Sequence, residues 1–586
     1  MIALEQRARS FFLRCRASAR YSSPRLAQCR RCLPRRGLAT AIETEQPAAK
    51  PVPEKPYYVT SPIFYVNSGR CSPHVGHLYT LVLSDILKRW AKLRGDERAT
   101  LLTGTDEHGM KIQKAAQTAN TNAKLFCDQH AQQFKSLCQA ANINYDRFIR
   151  TTDDDHRIAV EHFWNELNHA GYIYEAKHEG WYSISDETFY PESQVQKVLD
   201  PSTGETKIAS IETGKEVEWT SETNYHFKLS AFQQPLLKHY SENPGAIVPK
   251  QRMAFIMKEI ESGLNDLSVS RPSTRLSWGV RVPGDSSQTI YVWLDALINY
   301  LTMTGYPFTD RNDPTNIWPP NCQVIGKDII RFHTIYWPAF LMALDQPLPR
   351  RFLTHAHWTM NNEKMSKSAG NGVNPFMAMD RYGVDSIRFY MAYHGGIVDD
   401  AMYENSQVAE TYKHILRDGF GNLLHRVFKS KHFNVHDAVR FVAENQGLRD
   451  LYEQLALVRI RTDASMREPD PRTTIHLITE LIRNTNKFFH NAALWKRFQT
   501  EDPEELRLAR YSLFMSAESI RIIAILLQPF MPERMKVALD MMEVHESRRT
   551  FEHTRVGADF IYGPPTFEAD TKASTEVIFP MLLSAN

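Results

Sequence analysis

His74 and His77 stand one helical turn apart in Ser72-Pro73-His74-Val75-Gly76-His77. Far downstream, Lys364 and Lys367 flank Ser366 in Lys364-Met365-Ser366-Lys367-Ser368, a short hydroxyl-rich stretch. Two imidazoles where a loop enters a helix can donate N–H bonds to phosphate oxygens, and the free backbone N–H groups and helix dipole there also favour anions. Two lysines in a small loop can neutralise a leaving polyphosphate and close only once a nucleotide is bound. Such chemistry rests on positioning and charge stabilisation, not on a covalent nucleophile. Alone, the first segment reads equally as a surface HxxH or half of a metal site. Alone, the second reads as a solvated basic loop. In this order and a domain apart, the pair describes a site for phosphates.

The elements that must position these residues are legible around them. Tyr57–Thr60 has strand character, stopped by Pro62. A loop of turn formers (Asn67, Ser68, Gly69, Pro73) leads into the histidines, and Leu78, Leu81, Val82, Ile86 and Trp90 then recur at helical spacing. Strand, phosphate loop and helix open a doubly wound nucleotide-binding fold. Further strands are expected at Ala99–Thr103, ending in Gly104-Thr105-Asp106-Glu107-His108-Gly109, at Cys322–Ile325, ending in Gly326-Lys327-Asp328, and at Phe352–Thr354. Between about residues 172 and 285 the chain is rich in Tyr, Trp, Thr, Ser, Glu and Pro, with β-like pieces such as Gly180-Trp181-Tyr182-Ser183, and reads as an insertion that splits the fold. From about 396 onward helical periodicity dominates, with helices expected at 406–430, 446–466, 472–490 and 505–528. The expected class is α/β: a Rossmann-like, doubly wound parallel sheet over 57–395, split by the insertion and followed by an α-helical bundle over 396–586.

The first 40 residues differ from the rest. They hold ten arginines, one acid (Glu5) and no lysine, with Ile2, Leu4, Phe11, Phe12 and Leu13 as an apolar face. That is the pattern of a mitochondrial transit peptide, and it places the mature chain in the mitochondrial matrix. Without this segment the net charge of +3 becomes about −6, so any RNA partner must be met by local basic patches. Residues 41–56 read as a Pro-rich linker. Of seven cysteines, three (15, 29, 32) fall in the presequence and four (71, 127, 138, 322) are scattered, implying reduced thiols. No apolar run approaches the ~20 residues that span a membrane.

Together the histidine and lysine segments resemble the two signature motifs of class I aminoacyl-tRNA synthetases, with Val75 where Ile is more usual. The likeness narrows with Tyr58-Val59-Thr60-Ser61-Pro62-Ile63-Phe64-Tyr65-Val66-Asn67, Thr105-Asp106-Glu107-His108-Gly109, Trp293-Leu294-Asp295-Ala296-Leu297-Ile298-Asn299-Tyr300 and Gly326-Lys327-Asp328-Ile329-Ile330-Arg331-Phe332-His333. These resemble methionyl-tRNA synthetases, of the bacterial-type and mitochondrial branch, from about residue 57 to about 500.

The resemblance implies ATP-dependent ligation of L-methionine to tRNA(Met) for mitochondrial translation, through a methionyl-adenylate, with Mg²⁺ on the nucleotide. His74, His77, Lys364 and Lys367 become the catalytic residues, with Gly76 and Ser366 as further ATP contacts. Ile63, Tyr65, Trp293, Ala296, Tyr300, Ile329, Phe332, His333 and Trp337 match the methionine pocket, and Asp106 matches the carboxylate that holds the ammonium. A thioether has no strong hydrogen-bonding group, so an aromatic pocket suits it. Trp293, Ala296 and Tyr300 at i, i+3 and i+7 fit a core-facing helix equally well. Leu297 departs from a Pro found in relatives. Such a pocket discriminates one methylene by only ~1–3 kcal/mol, so some activation of homocysteine is expected. Asn422 and Arg426, one turn apart, and Trp495 match anticodon-reading positions in the helical domain. Residues 172–285 contain no cysteine, so the zinc knuckle of many relatives is not expected, and no protein-held metal site is. The insertion is too short for the large editing domain of the isoleucine, valine and leucine enzymes. No appended RNA-binding or dimerisation module is recognisable, which makes a monomer the expectation. The rivals are another class I synthetase, a non-catalytic RNA-binding derivative and another adenylyl-transferring enzyme on the same fold.

Overall fold

The computed structural model describes residues 55–66, 73–183, 188–190, 192–199, 204–211, 213–310, 313, 315–360, 363–364, 373–445, 452–565 and 577–582. The segments expected as a transit peptide (1–40) and, but for residues 55 and 56, as a linker (41–56) lie outside these residues.

Six parallel strands form the central sheet, in the spatial order Arg147–Arg150, Thr100–Asp106, Tyr58–Tyr65, Cys322–Gly326, Phe352–His355 and Ile247–Val248. Val59, Leu101, Leu102, Ile149, Val324, Ile325 and Leu353 are fully buried, as strands covered on both faces require. The chain winds outward one way through the first three strands and the other way after Cys322. The carboxyl ends of Tyr58–Tyr65 and Cys322–Gly326 therefore bound the crevice where a doubly wound fold takes its ligands. The helix Val75–Leu93 follows the first strand, with Leu78, Leu81, Val82, Ile86 and Trp90 all buried, and packs against it.

Two expectations are corrected here. Pro62 does not stop the first strand, which runs from Tyr58 to Tyr65. Its pairing with Thr100–Asp106 shifts register between Thr60 and Ile63, so the missing proline N–H falls at an irregularity. The segment 172–285 is also not wholly an insertion. Ile173–Ser183 and Glu218–Phe227 form a long antiparallel pair, extended by Thr188–Tyr190 and Leu267–Ser268. Yet Ile247–Val248 returns to the edge of the central sheet, pairing with Phe352–Leu353.

The C-terminal region is helical. Asp470-Pro471 and Asp502-Pro503 start its two longest helices, Pro471–Ala492 and Pro503–Leu527, each with Asp as N-cap and Pro in the first turn. The second is buried almost without interruption from Ala509 to Leu527 and forms the bundle's centre. Arg388 joins this region to the sheet domain. Its fully buried guanidinium pairs with Asp85 on the helix Val75–Leu93 at 2.5 Å and donates to the carbonyls of Pro529 and Phe530.

Candidate active site

His74 is the N-cap of the helix Val75–Leu93, with extended backbone, and its Nδ1 accepts the Gly76 N–H at 3.0 Å. His77, in the first turn, accepts the His74 N–H on its own Nδ1 at 3.1 Å. The two histidines thus form a reciprocal capping box. An imidazole that accepts on Nδ1 carries its proton on Nε2 when neutral, so Nε2 is the donor atom of each ring. The rings stack at 3.8 Å, and Phe64 and Phe134 hold His77 edge-on at 5.2 and 5.3 Å. Gly76 is needed for this approach: a Cβ there would lie 2.8 Å from the His74 ring. Both histidines and Gly76 line a cavity of about 1220 Å³, roomy enough for an amino acid together with a nucleotide.

Ile63 and Tyr65, from the end of the first strand, line the same cavity, as does Asp106 at the end of the second, where it is 7% exposed. So do Trp293, Ala296, Tyr300, Ile329, Phe332 and His333. Trp293 and Phe332 stack face to face, 3.7 Å apart and within 8° of parallel. The helix expected to carry Trp293, Ala296 and Tyr300 is two short ones, Val292–Leu297 and Asn299–Thr302, joined at Ile298. Tyr300 Oη lies 2.7 Å from His333 Nε2, and His333 Nδ1 lies 2.9 Å from the Ile329 carbonyl. Because a carbonyl only accepts, Nδ1 bears the proton and Nε2 accepts from Tyr300. Burial pushes the His333 pKa down to about 4, so the ring is neutral at pH 7. The wall is therefore aromatic, uncharged and held in place by its own hydrogen bonds, which suits an apolar, polarisable side chain.

Trp337 is not on this wall. It is fully buried, with its ring 6.1 Å from Tyr300 and 6.0 Å from Trp318. Phe332–Tyr336 is a π-helical turn, and its extra residue rotates Trp337 away from where α-helical spacing after His333 would put it. Lys364 lies in the short strand Glu363–Lys364, paired with Trp358–Met360, whose Trp358 lines the cavity. Ser366 and Lys367 lie outside the described residues. In the bundle, Asn422 is exposed, and the Arg426 guanidinium lies 4.7 Å over the Phe489 ring. Trp495, half-buried, faces His490 at 6.2 Å, so Arg426 and Trp495 pack against consecutive residues of one helix end.

Sequence reasoning missed several groups at the site. Asp295 is 1% exposed and accepts from His108 Nδ1 at 2.6 Å and His156 Nε2 at 2.9 Å. Two of the three stand inside motifs already singled out, where a buried acid beside an aromatic pocket was the available signal. Thr80 bonds His355 Nε2 at 2.8 Å, and both line the cavity. Trp181 and Trp219, opposed across the insertion's long strand pair, line the cavity's far side. Among the described residues, no three His, Cys, Asp or Glu side chains are grouped so as to hold a metal ion.

A parallel sheet of this order, with a histidine pair capping the helix at its switch point, fits a class I aminoacyl-tRNA synthetase. The family model "tRNA synthetases class I (M)" matches residues 57–428. The chain is 50% identical over 542 residues to the probable mitochondrial methionine–tRNA ligase of Neurospora crassa, covering 90% of this chain and 86% of that one. It is 39% identical over 543 residues to the human mitochondrial methionine–tRNA ligase, covering 90% of each. The Mycobacterium tuberculosis methionyl-tRNA synthetase solved with methionyl-adenylate superposes with a TM-score of 0.78 at 35% identity, covering 90% of this chain and all of that one. The chain belongs to the methionyl-tRNA synthetase family.

Proposed function

We infer that this chain ligates L-methionine to tRNA(Met) in two steps at the cavity described above, in the mitochondrial matrix. The observation that carries the reading is the convergence, in one cavity, of a phosphate-directed histidine pair, a carboxylate (Asp106) and a neutral aromatic wall. In the first step a methionine carboxylate oxygen attacks the α-phosphorus of ATP. The bond to the bridging oxygen breaks, and pyrophosphate leaves with the electron pair. His74 and His77 donate to the phosphate oxygens as charge develops on them, and Lys364 and Lys367 neutralise the pyrophosphate. Gly76 and Ser366 are further ATP contacts. Mg²⁺ arriving with the nucleotide would add positive charge against the phosphates. Asp106 pairs with the ammonium while Ile63, Tyr65, Trp293, Ala296, Tyr300, Ile329, Phe332 and His333 enclose the side chain. In the second step a ribose hydroxyl of the terminal adenosine attacks the adenylate carbonyl and AMP leaves.

ATP–pyrophosphate exchange by residues 41–586 against all twenty amino acids tests this directly. Exchange with methionine alone supports the reading, exchange with another amino acid moves it to a sister synthetase, and silence with tRNA present defeats it. Homocysteine, one methylene shorter in effective reach, should drive ATP consumption at ~10–200-fold lower kcat/KM than methionine. Its complete inactivity would mean the wall discriminates more sharply than shape alone allows.

The anticodon end is read at Asn422, Arg426 and Trp495; Asn422 stands one helical turn from Arg426, and Arg426 and Trp495 pack against Phe489 and His490. Trp495 stacks an unpaired base and the other two bond base edges. Trp495→Ala should raise KM for tRNA by about 5–100-fold, as loss of one stacked base does, and leave exchange unchanged. An unaltered tRNA KM would return Trp495 to the bundle core. The arginine-rich first 40 residues, together with relatives named mitochondrial, support the mitochondrial assignment. The enzyme is read as a monomer.

A further inference from the structure

We propose that Tyr240, which does not line the cavity, is a positioning residue for the methionine side chain, because its hydroxyl fixes the irregular turn that presents Phe332 and His333. The proposal rests on the functional reading above.

The turn has a defect built into its sequence. Phe332–Tyr336 is π-helical and runs into the helix Trp337–Ala343, whose second residue is Pro338. Pro338 has no N–H, so where the π turn passes into the α-helix it can serve neither the His333 carbonyl in the π register nor the Thr334 carbonyl in the α register. Thr334 is fully buried, so its carbonyl has no access to bulk water. A buried carbonyl left unpaired is costly. Tyr240 Oη donates to it at 2.5 Å. This hydroxyl arrives from a different part of the chain, the helix Gln233–Glu242, where Tyr240 is 1% exposed. Burial holds the phenol far above its ordinary pKa, so it remains a donor.

The turn so anchored sets two contacts of the wall. Trp337 N–H closes the wide turn on the Phe332 carbonyl, and Phe332 is the residue stacked on Trp293. His333, next in the chain, takes the Tyr300 hydroxyl. A roll of the turn would part both pairs. The histidines that face the phosphates stand on another element, the start of Val75–Leu93, with no share in this turn. Tyr240 thus bears on methionine and not on ATP.

The test is Tyr240→Phe in the mature chain, read by methionine-dependent ATP–pyrophosphate exchange alongside the melting temperature. KM for methionine should rise about tenfold, while KM for ATP stays within twofold. Adding Pro338→Ala supplies a peptide N–H to the Thr334 carbonyl and should bring KM for methionine back to within threefold. A lowered melting temperature with KM for methionine unchanged would make Tyr240 merely structural. Equal rises for both substrates would mean general loosening, and absence of recovery in the double variant would exclude the carbonyl route; each overturns the proposal. Titration of tryptophan fluorescence with methionine at low temperature reads the same affinity should Tyr240→Phe be too unstable for turnover. Wild-type protein silent with methionine would sink the functional reading, and this proposal with it; a change confined to the variant bears on Tyr240 alone.

Discussion

His77→Ala should lower methionine-dependent ATP–pyrophosphate exchange by about 10²–10³-fold, the usual cost of removing one preorganised donor to a developing negative charge. KM for methionine should stay within about threefold. The ring is fixed on three sides: by the His74 N–H at 3.1 Å on Nδ1, by His74 itself, stacked at 3.8 Å, and by the edges of Phe64 and Phe134. A donor held so firmly needs no reorganisation when charge appears on the phosphate, so its contribution falls in the transition state. The same ring also caps a helix, and loss of a cap costs about 1 kcal/mol of stability. His77→Asn separates the two effects. Its side-chain oxygen can still accept a backbone N–H, so the melting temperature should recover, but it is too short to place a donor where Nε2 stood, so the rate should not. Exchange by His77→Ala within tenfold of wild type would remove His77 from the chemistry.

The parts of this site that the sequence discloses are those whose signal is local. Pro73-His74-Val75-Gly76-His77 announces a helix start and an anion site at once, because cap, first turn and glycine all fall within five residues. Asp106 and the Tyr65 end of the first strand are legible because parallel strands finish in loops that face ligand. Other parts exist only through distant partners. Ile247–Val248 has no periodicity to read and becomes a strand because Phe352–Leu353 lies beside it. Pro62 breaks an isolated strand, yet here it falls at a register shift that needs no N–H. The family resemblance assigns Trp337 to the pocket, but Trp337 follows a π turn, Phe332–Tyr336, and packs fully buried beside Tyr300, a placement that no local pattern discloses. Local propensity gives the frame, and the departures from it gather where the pocket is shaped.

Asp295 carries the second large effect. Its carboxylate, on the short helix that bears Trp293 and Ala296, is buried and holds His108, in the loop after the strand that ends at Asp106, at 2.6 Å and His156, on the helix Asp154–His169, at 2.9 Å. It therefore ties the loop after the strand of Asp106 to the helix of Trp293 and Ala296, the two elements to which the proposed function gives the ammonium and the side chain. Burial alone would push the carboxyl pKa up, but the charge and hydrogen bond of His108, then those of His156, more than offset it and bring the value down to about 2 from an ordinary 3.8. A carboxyl whose folded pKa is depressed stabilises the fold above its unfolded value and loses that contribution as pH falls through the folded one. The contribution here is about 2 kcal/mol, complete above about pH 4 and lost toward pH 2. Asp295→Ala should cost about 3–5 kcal/mol in chemical denaturation, since two buried imidazoles lose their shared acceptor. Asp295→Asn keeps one acceptor and turns an N–H₂ toward the other ring. It should cost less, flatten the acid-unfolding curve between pH 4 and 2, and raise KM for methionine at least tenfold with KM for ATP little changed. An asparagine variant with the wild-type acid profile would show that the carboxylate charge is not what ties the two elements together. One with the wild-type methionine KM would show that the tie does not reach the pocket.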